Sequence, residues 1–252
     1  METLFIGRNI LFLPQVNSTN SYAIEMLKNV NLAEGTVVHA EEQTEGRGQR
    51  GSVWKTEKTS NLTASLIIKP SFLDLKKQHF LYQISALACY DALAELLNSS
   101  QFDIKIKWPN DILVNNQKIA GILIENNIFN GQINWSVIGF GINVNQTIFD
   151  EVFNATSLKL LLEKDLIIKD VLELFCTHFE KRYLQLKNNK FELIKADYLA
   201  RFFRLNNWMD FEINGEIKKM FVQGMSEDGL LSLRDVYERS HSFDVKQVKW
   251  LY

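Results

Sequence analysis

After Asn206-Asn207 the chain loses every helical pattern. The β-prone runs 209–213, 217–222, 230–233 and 245–250 follow, and the first three are parted by Asn214-Gly215 and Asp228-Gly229. Asn-Gly and Asp-Gly between such runs are hairpin signals, so this tail folds as a small antiparallel meander. Long helical patterns precede it. The switch predicts a boundary near 204–208, with a larger domain over 1–204 and a small β domain over 205–252.

The larger part alternates in character. A strand over 10–13 ends at Pro14, and Ser18-Thr19-Asn20 offers an N-cap to a helix carrying Ile24, Met26 and Leu27. Strands are predicted over 36–40 and 62–68, and a long amphipathic helix over 76–98 through Phe80, Ile84, Leu87 and Leu93. Short β runs at 104–107, 112–114, 119–125 and 133–138 are punctuated by Pro109-Asn110, Asn115-Asn116 and Asn130-Gly131. Helices are predicted over 157–163, 168–187 and 191–203. This order defines an α+β chain with no internal repeat.

Composition narrows the function classes. With 252 residues, 46% of them hydrophobic and 23% charged, the chain is neither disordered nor fibrous. A net charge of −2 argues against a surface that binds nucleic acid along its length. Cys89 and Cys176 lie in separate helical patterns, which points to a reducing compartment, and four scattered histidines predict no metal site. Gly7-Arg8-Asn9 interrupts the N-terminal apolar runs, and no run reaches the roughly 18 residues of a membrane span. The expectation is a soluble, cytoplasmic protein without a membrane or DNA partner.

Glu42-Gln43-Thr44-Glu45-Gly46-Arg47-Gly48-Gln49-Arg50-Gly51-Ser52-Val53-Trp54 is the most informative stretch. Gly46, Gly48 and Gly51 satisfy G-x-G-x-x-G, but a dinucleotide fingerprint opens a helix, and here a polar segment and a strand follow. Val53 extends the match to the kinase glycine loop, yet the chain contains neither H-R-D nor D-F-G. Glycines let backbone N–H groups approach an anion, and Arg47 and Arg50 add charge and bidentate donors. The stretch reads as a mobile lid over a phosphorylated ligand.

Two further motifs follow. Lys107-Trp108-Pro109-Asn110-Asp111 joins a cation, an aromatic, a rigid turn and a carboxylate, and Lys118-Ile119-Ala120-Gly121-Ile122-Leu123-Ile124-Glu125 returns as the next strand. Gly139 and Gly141 then stand inside the strand pattern Ile138–Asn145, which also carries Asn143, and strand glycines mark a bulge or close approach of a ligand to the backbone.

In this order the motifs resemble one family, the biotin–protein ligases, from about Ser18 to the C-terminus. The resemblance implies a class II synthetase-like catalytic domain, a mixed β-sheet covered by helices, followed by a small SH3-like β-barrel. It implies two reactions. Biotin and MgATP give biotinyl-5′-AMP, and the biotinyl group then passes to one lysine of a biotin carboxyl carrier protein. ATP, Mg2+ and biotin are thus substrates, with no prosthetic group. Lys118, Arg47 and Asp111 match catalytic positions. Ser18, Thr19, Asn20, Gln43, Gly46, Arg47, Gly48, Lys118, Gly121, Leu123 and Gly139 match biotin contacts, and Arg50, Trp54, Asn110 and Asn143 match adenylate contacts. Monomer and homodimer both stay open. Because the ligase pattern begins within the first 20 residues, a monofunctional enzyme without a DNA-binding domain is expected.

The chain departs from the family at two places. Gln49 stands where an arginine is common, and no tryptophan that would cap adenine occurs between 146 and 154, where Phe149 and Phe153 are the aromatics. The rival readings are a lipoate or octanoate ligase of the same superfamily and a non-catalytic biotin sensor.

Overall fold

The computed structural model describes residues 2–98, 101–150 and 154–251. Strand β1 (Ile10–Leu13) leads to Ser18, whose hydroxyl accepts the Ser21 N–H and starts helix α1 (Thr19–Asn29). Strands β2 (Val37–Ala40) and β3 (Leu62–Ile68) precede helix α2 (His79–Leu97). Strands β4 (Ile104–Lys107), β5 (Asp111–Val114), β6 (Gln117–Phe129) and β7 (Gln132–Ile142) complete a seven-stranded sheet of order β1-β2-β3-β7-β6-β5-β4. β1 and β2 are parallel, and every other neighbouring pair is antiparallel. The sheet is therefore mixed.

β6 and β7 run longer than their apolar cores predict. Their ladder continues through Leu123 opposite Gly139 and Gly121 opposite Gly141, so the glycines stay inside the sheet. Pairing on both sides outweighs the poor strand preference of glycine.

Helices α3 (Leu158–Leu162), α4 (Ile168–Lys187) and α5 (Phe191–Ala200) follow. α2 and α4 cover one face of the sheet, where Phe140 of β7 stacks on Phe175 at 3.8 Å between ring centres. The segment 75–97 contains a stretch apolar and long enough to cross a membrane, but most of that stretch is buried inside the protein. Core packing explains its composition. Behind α4, the Glu180 carboxylate accepts the backbone N–H groups of Leu4, Phe5 and Ile6, which satisfies donors that the N-terminal segment would otherwise bury unpaired. α1 covers part of the opposite face, with Ala23 packed against Val38, Ile67 and Val137.

The C-terminal part is a five-stranded antiparallel sheet with an SH3-like arrangement. It comprises β8 (Trp208–Ile213), β9 (Glu216–Met225), β10 (Leu231–Arg234), β11 (Ser240–Phe243) and β12 (Val248–Leu251), in the order β11-β10-β9-β8-β12. The Ser-His-Ser-Phe sequence of β11 has no apolar alternation, because the strand is an exposed edge; it gives no signal in the sequence. Phe211, Met220, Val222 and Leu231 join the same core as α2 and α4. At the junction, the Ile106 N–H donates to Arg201 and Phe203 donates back to Ile106. The Trp108 indole N–H donates to the Gly229 carbonyl at 3.0 Å.

Candidate active site

The sheet face not covered by α2 carries a cavity of about 610 Å³. Strand alternation decides which residues share that side of the sheet. Thr63, Gly141, Gly121 and Asp111 stand in one row across β3, β7, β6 and β5, and Ser65, Gly139 and Leu123 in the next. By parity Lys118 belongs on the other face. A bulge intervenes: Ile112 pairs with Ala120 but Leu113 pairs with Lys118, leaving Ile119 as an extra residue. An inserted residue re-aims the side chains beyond it, and Lys118 comes to the cavity face. Its Nζ lies 2.7 Å from Asp111 Oδ1, with Lys107 Nζ 3.8 Å from Asp111 Oδ2.

The three glycines make room. A Cβ at Gly141 would strike the indole of Trp54, within 2.6 Å of Nε1, and one at Gly121 would lie 3.1 Å from Trp54 Cζ3 and 3.3 Å from Lys118 Cε. A Cβ at Gly139 would overlap the Asn20 amide, 2.9 Å from Cγ. These strand glycines therefore mark close approach by side chains. Trp54 lies beneath the Lys118 ammonium, 5.4 Å from Nζ to the ring centre, and its buried indole N–H has no partner. Such a donor is an unmet hydrogen bond at the cavity wall.

At the far end of the cavity neutral hydrogen-bonding side chains meet. Gln43 Oε1 accepts the Thr19 N–H at 2.8 Å and lies 3.0 Å from the Thr19 hydroxyl. Ser65 Oγ sits 2.7 Å from Thr19 Oγ1 and 2.6 Å from Asn20 Oδ1. One hydroxyl proton serves one acceptor at a time, so these groups form a short relay of donors and acceptors. Asn20 Nδ2 donates to Glu125 Oε2 at 2.8 Å, and Arg47 Nη2 reaches the same oxygen at 2.9 Å. Ser65 and Glu125 were not singled out by sequence reasoning. A serine inside an otherwise apolar run, and a carboxylate ending one, were the available signals.

The glycine-rich loop closes one side as a small turn. Trp54 N–H bonds to the Gly46 carbonyl and Gly48 N–H to Ser52, with a single 3-10 turn over Gln49–Gly51. Gln49 lies at the Tyr82 hydroxyl; burial raises that phenol above its ordinary value, and Gln49 works against the rise.

Ser18, Thr19, Asn20, Gln43, Arg47, Gly48, Trp54, Asn110, Asp111, Lys118, Gly121, Leu123, Gly139 and Asn143 all line the cavity. Gly46 does not; it backs Gln43 and the Trp54 carbonyl, where a Cβ would not fit. Asn110 and Asn143 each commit an amide proton to the backbone, to Ile122 at 2.9 Å and Thr156 at 2.9 Å. Phe149 lines the cavity, whereas Phe153 and the side chain of Arg50 lie outside the described residues. Val245, Val248 and Trp250 of the C-terminal part also line it, which the sequence did not announce.

The family model of the biotin/lipoate A/B protein ligases matches residues 12–143, just over half the chain. The chain is 34% identical over 199 residues to the bifunctional ligase/repressor BirA of Bacillus subtilis, covering 77% of this chain and 60% of that protein. It is 28% identical over 211 residues to the biotin–[acetyl-CoA-carboxylase] ligase of Mycobacterium tuberculosis, covering 82% and 76%. A biotin protein ligase from Aquifex aeolicus, solved with biotin and ATP, shares the fold. Its TM-score is 0.79 over 96% of this chain and 98% of that one, at 24% identity. The chain belongs to the biotin/lipoate A/B protein ligase family.

Proposed function

We propose that this chain is an ATP-dependent biotin–protein ligase. One observation carries the reading: a single cavity runs from a neutral cluster of hydrogen-bonding groups at Thr19, Asn20 and Gln43 to paired lysines at Asp111. A ureido ring presents donors and acceptors that suit the first end, and a carboxylate facing a polyphosphate suits the second. A dithiolane offers nothing for the relay of Thr19, Ser65, Asn20 and Gln43 to bond, which favours biotin over lipoate.

In the first step a biotin carboxylate oxygen attacks the α-phosphorus of ATP. The bond to the β-phosphate breaks, and pyrophosphate leaves. Two anions must meet, so fixed cations that follow the developing charge supply much of the acceleration. Lys118 would bridge the biotin carboxylate and the α-phosphate. Arg47 and Arg50 of the loop would hold phosphate oxygens. In the second step the acceptor lysine attacks the acyl carbon, AMP leaves, and the amine gives up a proton. Asp111, beside Lys118, would orient that amine or receive the proton. Mg2+ would enter bound to the phosphates of ATP.

Trp54, Asn110 and Asn143 would meet the adenylate, the unmet Trp54 indole N–H supplying one donor. A catalytic domain over 1–204 and a C-terminal domain over 205–252 belong to the same reading. The passage from α5, ending at Ala200, to β8, starting at Trp208, supports this division. The acceptor would be a biotin carboxyl carrier domain. Cytoplasmic location is supported by two free, buried thiols at Cys89 and Cys176.

The test is pyrophosphate release from ATP with biotin or with lipoate. Release with biotin alone is expected. Release with lipoate alone would assign the rival ligase activity. Neither, together with a thermal shift on adding biotin, would make the chain a binding protein.

A further inference from the structure

Glu125 stands at the seam between the cavity wall and the loop. Its Oε2 accepts from Asn20 Nδ2 at 2.8 Å, and Arg47 Nη2 contacts both carboxylate oxygens, at 2.9 and 3.2 Å. The two ends of an asparagine amide have nearly the same shape, so its partners decide which way it points. Here Glu125 Oε2 at 2.8 Å and the Leu123 carbonyl at 3.3 Å take the NH2 end, Glu125 at the shorter distance, and Ser65 Oγ, 2.6 Å from Oδ1, takes the oxygen end. The same carboxylate ties down the loop.

We propose that Glu125 is a positioning residue that sets the Asn20 amide and docks the glycine loop through Arg47, so that slot and lid are adjusted by one carboxylate. The inference rests on the ligase reading. The Arg47 and Glu125 side chains are 45% and 31% exposed, so the ion pair is weak and open to exchange. That weakness suits a docking contact. A polyphosphate entering the cavity offers Arg47 a better bidentate partner. Arg47 can then transfer, and Glu125 retains Asn20 throughout.

Two substitutions separate the roles. Glu125→Gln keeps an oxygen for Asn20 but removes the charge that holds Arg47, whereas Glu125→Ala removes both. The measurements, on the full chain, are the rate of tryptic cleavage in the 42–54 loop without ligand and the biotin Kd by calorimetry without ATP. Cleavage of Glu125→Gln is expected to be about three-fold faster than wild type, with the biotin Kd held within about three-fold. Glu125→Ala is expected to be cleaved faster and to bind biotin about ten-fold more weakly. A Glu125→Gln loop as resistant as wild type overturns the docking role, and wild-type biotin affinity in Glu125→Ala overturns the Asn20 role. If wild type neither binds biotin nor releases pyrophosphate, the ligase reading fails and the Asn20 role with it. The cleavage comparison needs no ligand and still decides the docking role.

Discussion

Lys118 Nζ lies 2.7 Å from Asp111 Oδ1, although the sheet register sets Lys118 opposite Leu113 and Asp111 opposite Gly121. The contact depends on the extra residue at Ile119. Without that bulge the lysine would point toward α2 and the hydrophobic core. The cation proposed to meet both reacting anions is therefore placed by a register defect.

Lys118→Ala is expected to reduce pyrophosphate release by about 10²–10³, the usual cost of losing a donor aimed at developing charge. The side chain is 34% exposed, so thermal unfolding should change little. Pyrophosphate release at the wild-type rate would remove Lys118 from the chemistry.

Gly141→Ala is expected to destabilise the protein by about 1–3 kcal/mol, because the new methyl overlaps the Trp54 indole. Trp54 must leave its seat, and biotinyl-AMP should bind at least several-fold more weakly. Urea unfolding followed with titration of the intermediate checks both. Unchanged stability and binding would show that Trp54 does not depend on this row.

Gln49→Arg is expected to slow escape of biotinyl-AMP several-fold. A charged hydrogen bond exceeds a neutral one by about 1 kcal/mol, and arginine adds a full charge beside the phosphate. The substitution also gives up the position of Gln49 at the Tyr82 hydroxyl, which reduces the gain. The dissociation rate of the intermediate is the measurement. Equal or faster release would mean that position 49 serves Tyr82 and not the phosphate.

His79 supplies a pH dependence. Burial lowers its pKa from 6.5, helped by Lys195 and Lys77, while the Lys76 backbone and Asp228 act in the opposite direction. The unfolded chain therefore takes up the proton first as pH falls. Stability is complete above about pH 6.5 and declines as pH falls toward the depressed folded value. The urea midpoint should drop between pH 7.5 and 5.5, roughly one unit either side of that value, and His79→Phe should flatten this part of the curve. An equal drop in the variant would place the titration elsewhere.

The fold was legible where periodicity was strong. β1, β3 and α4 run over the residues that their apolar patterns mark. β11 was not legible, because an exposed edge strand needs no apolar face. The site was legible as motifs but not as a network. Nothing local shows that Glu125 joins Asn20 to Arg47, residues separated by more than a hundred and by seventy-eight positions. Such pairings are set by sheet order. The bulge at Ile119 is equally invisible, since Lys-Ile-Ala-Gly reads as an ordinary strand.

The Trp108 indole that reaches the Gly229 carbonyl lies one residue from Lys107 and three from Asp111. Gly229 has φ +85°, and a Cβ there would strike His79, so the turn seats against α2 and the 107–111 segment together. The two parts are thus not interchangeable modules. A C-terminal sheet grafted from another family member would support the chemistry only if its turn presented a carbonyl at this point and a residue small enough to sit on His79.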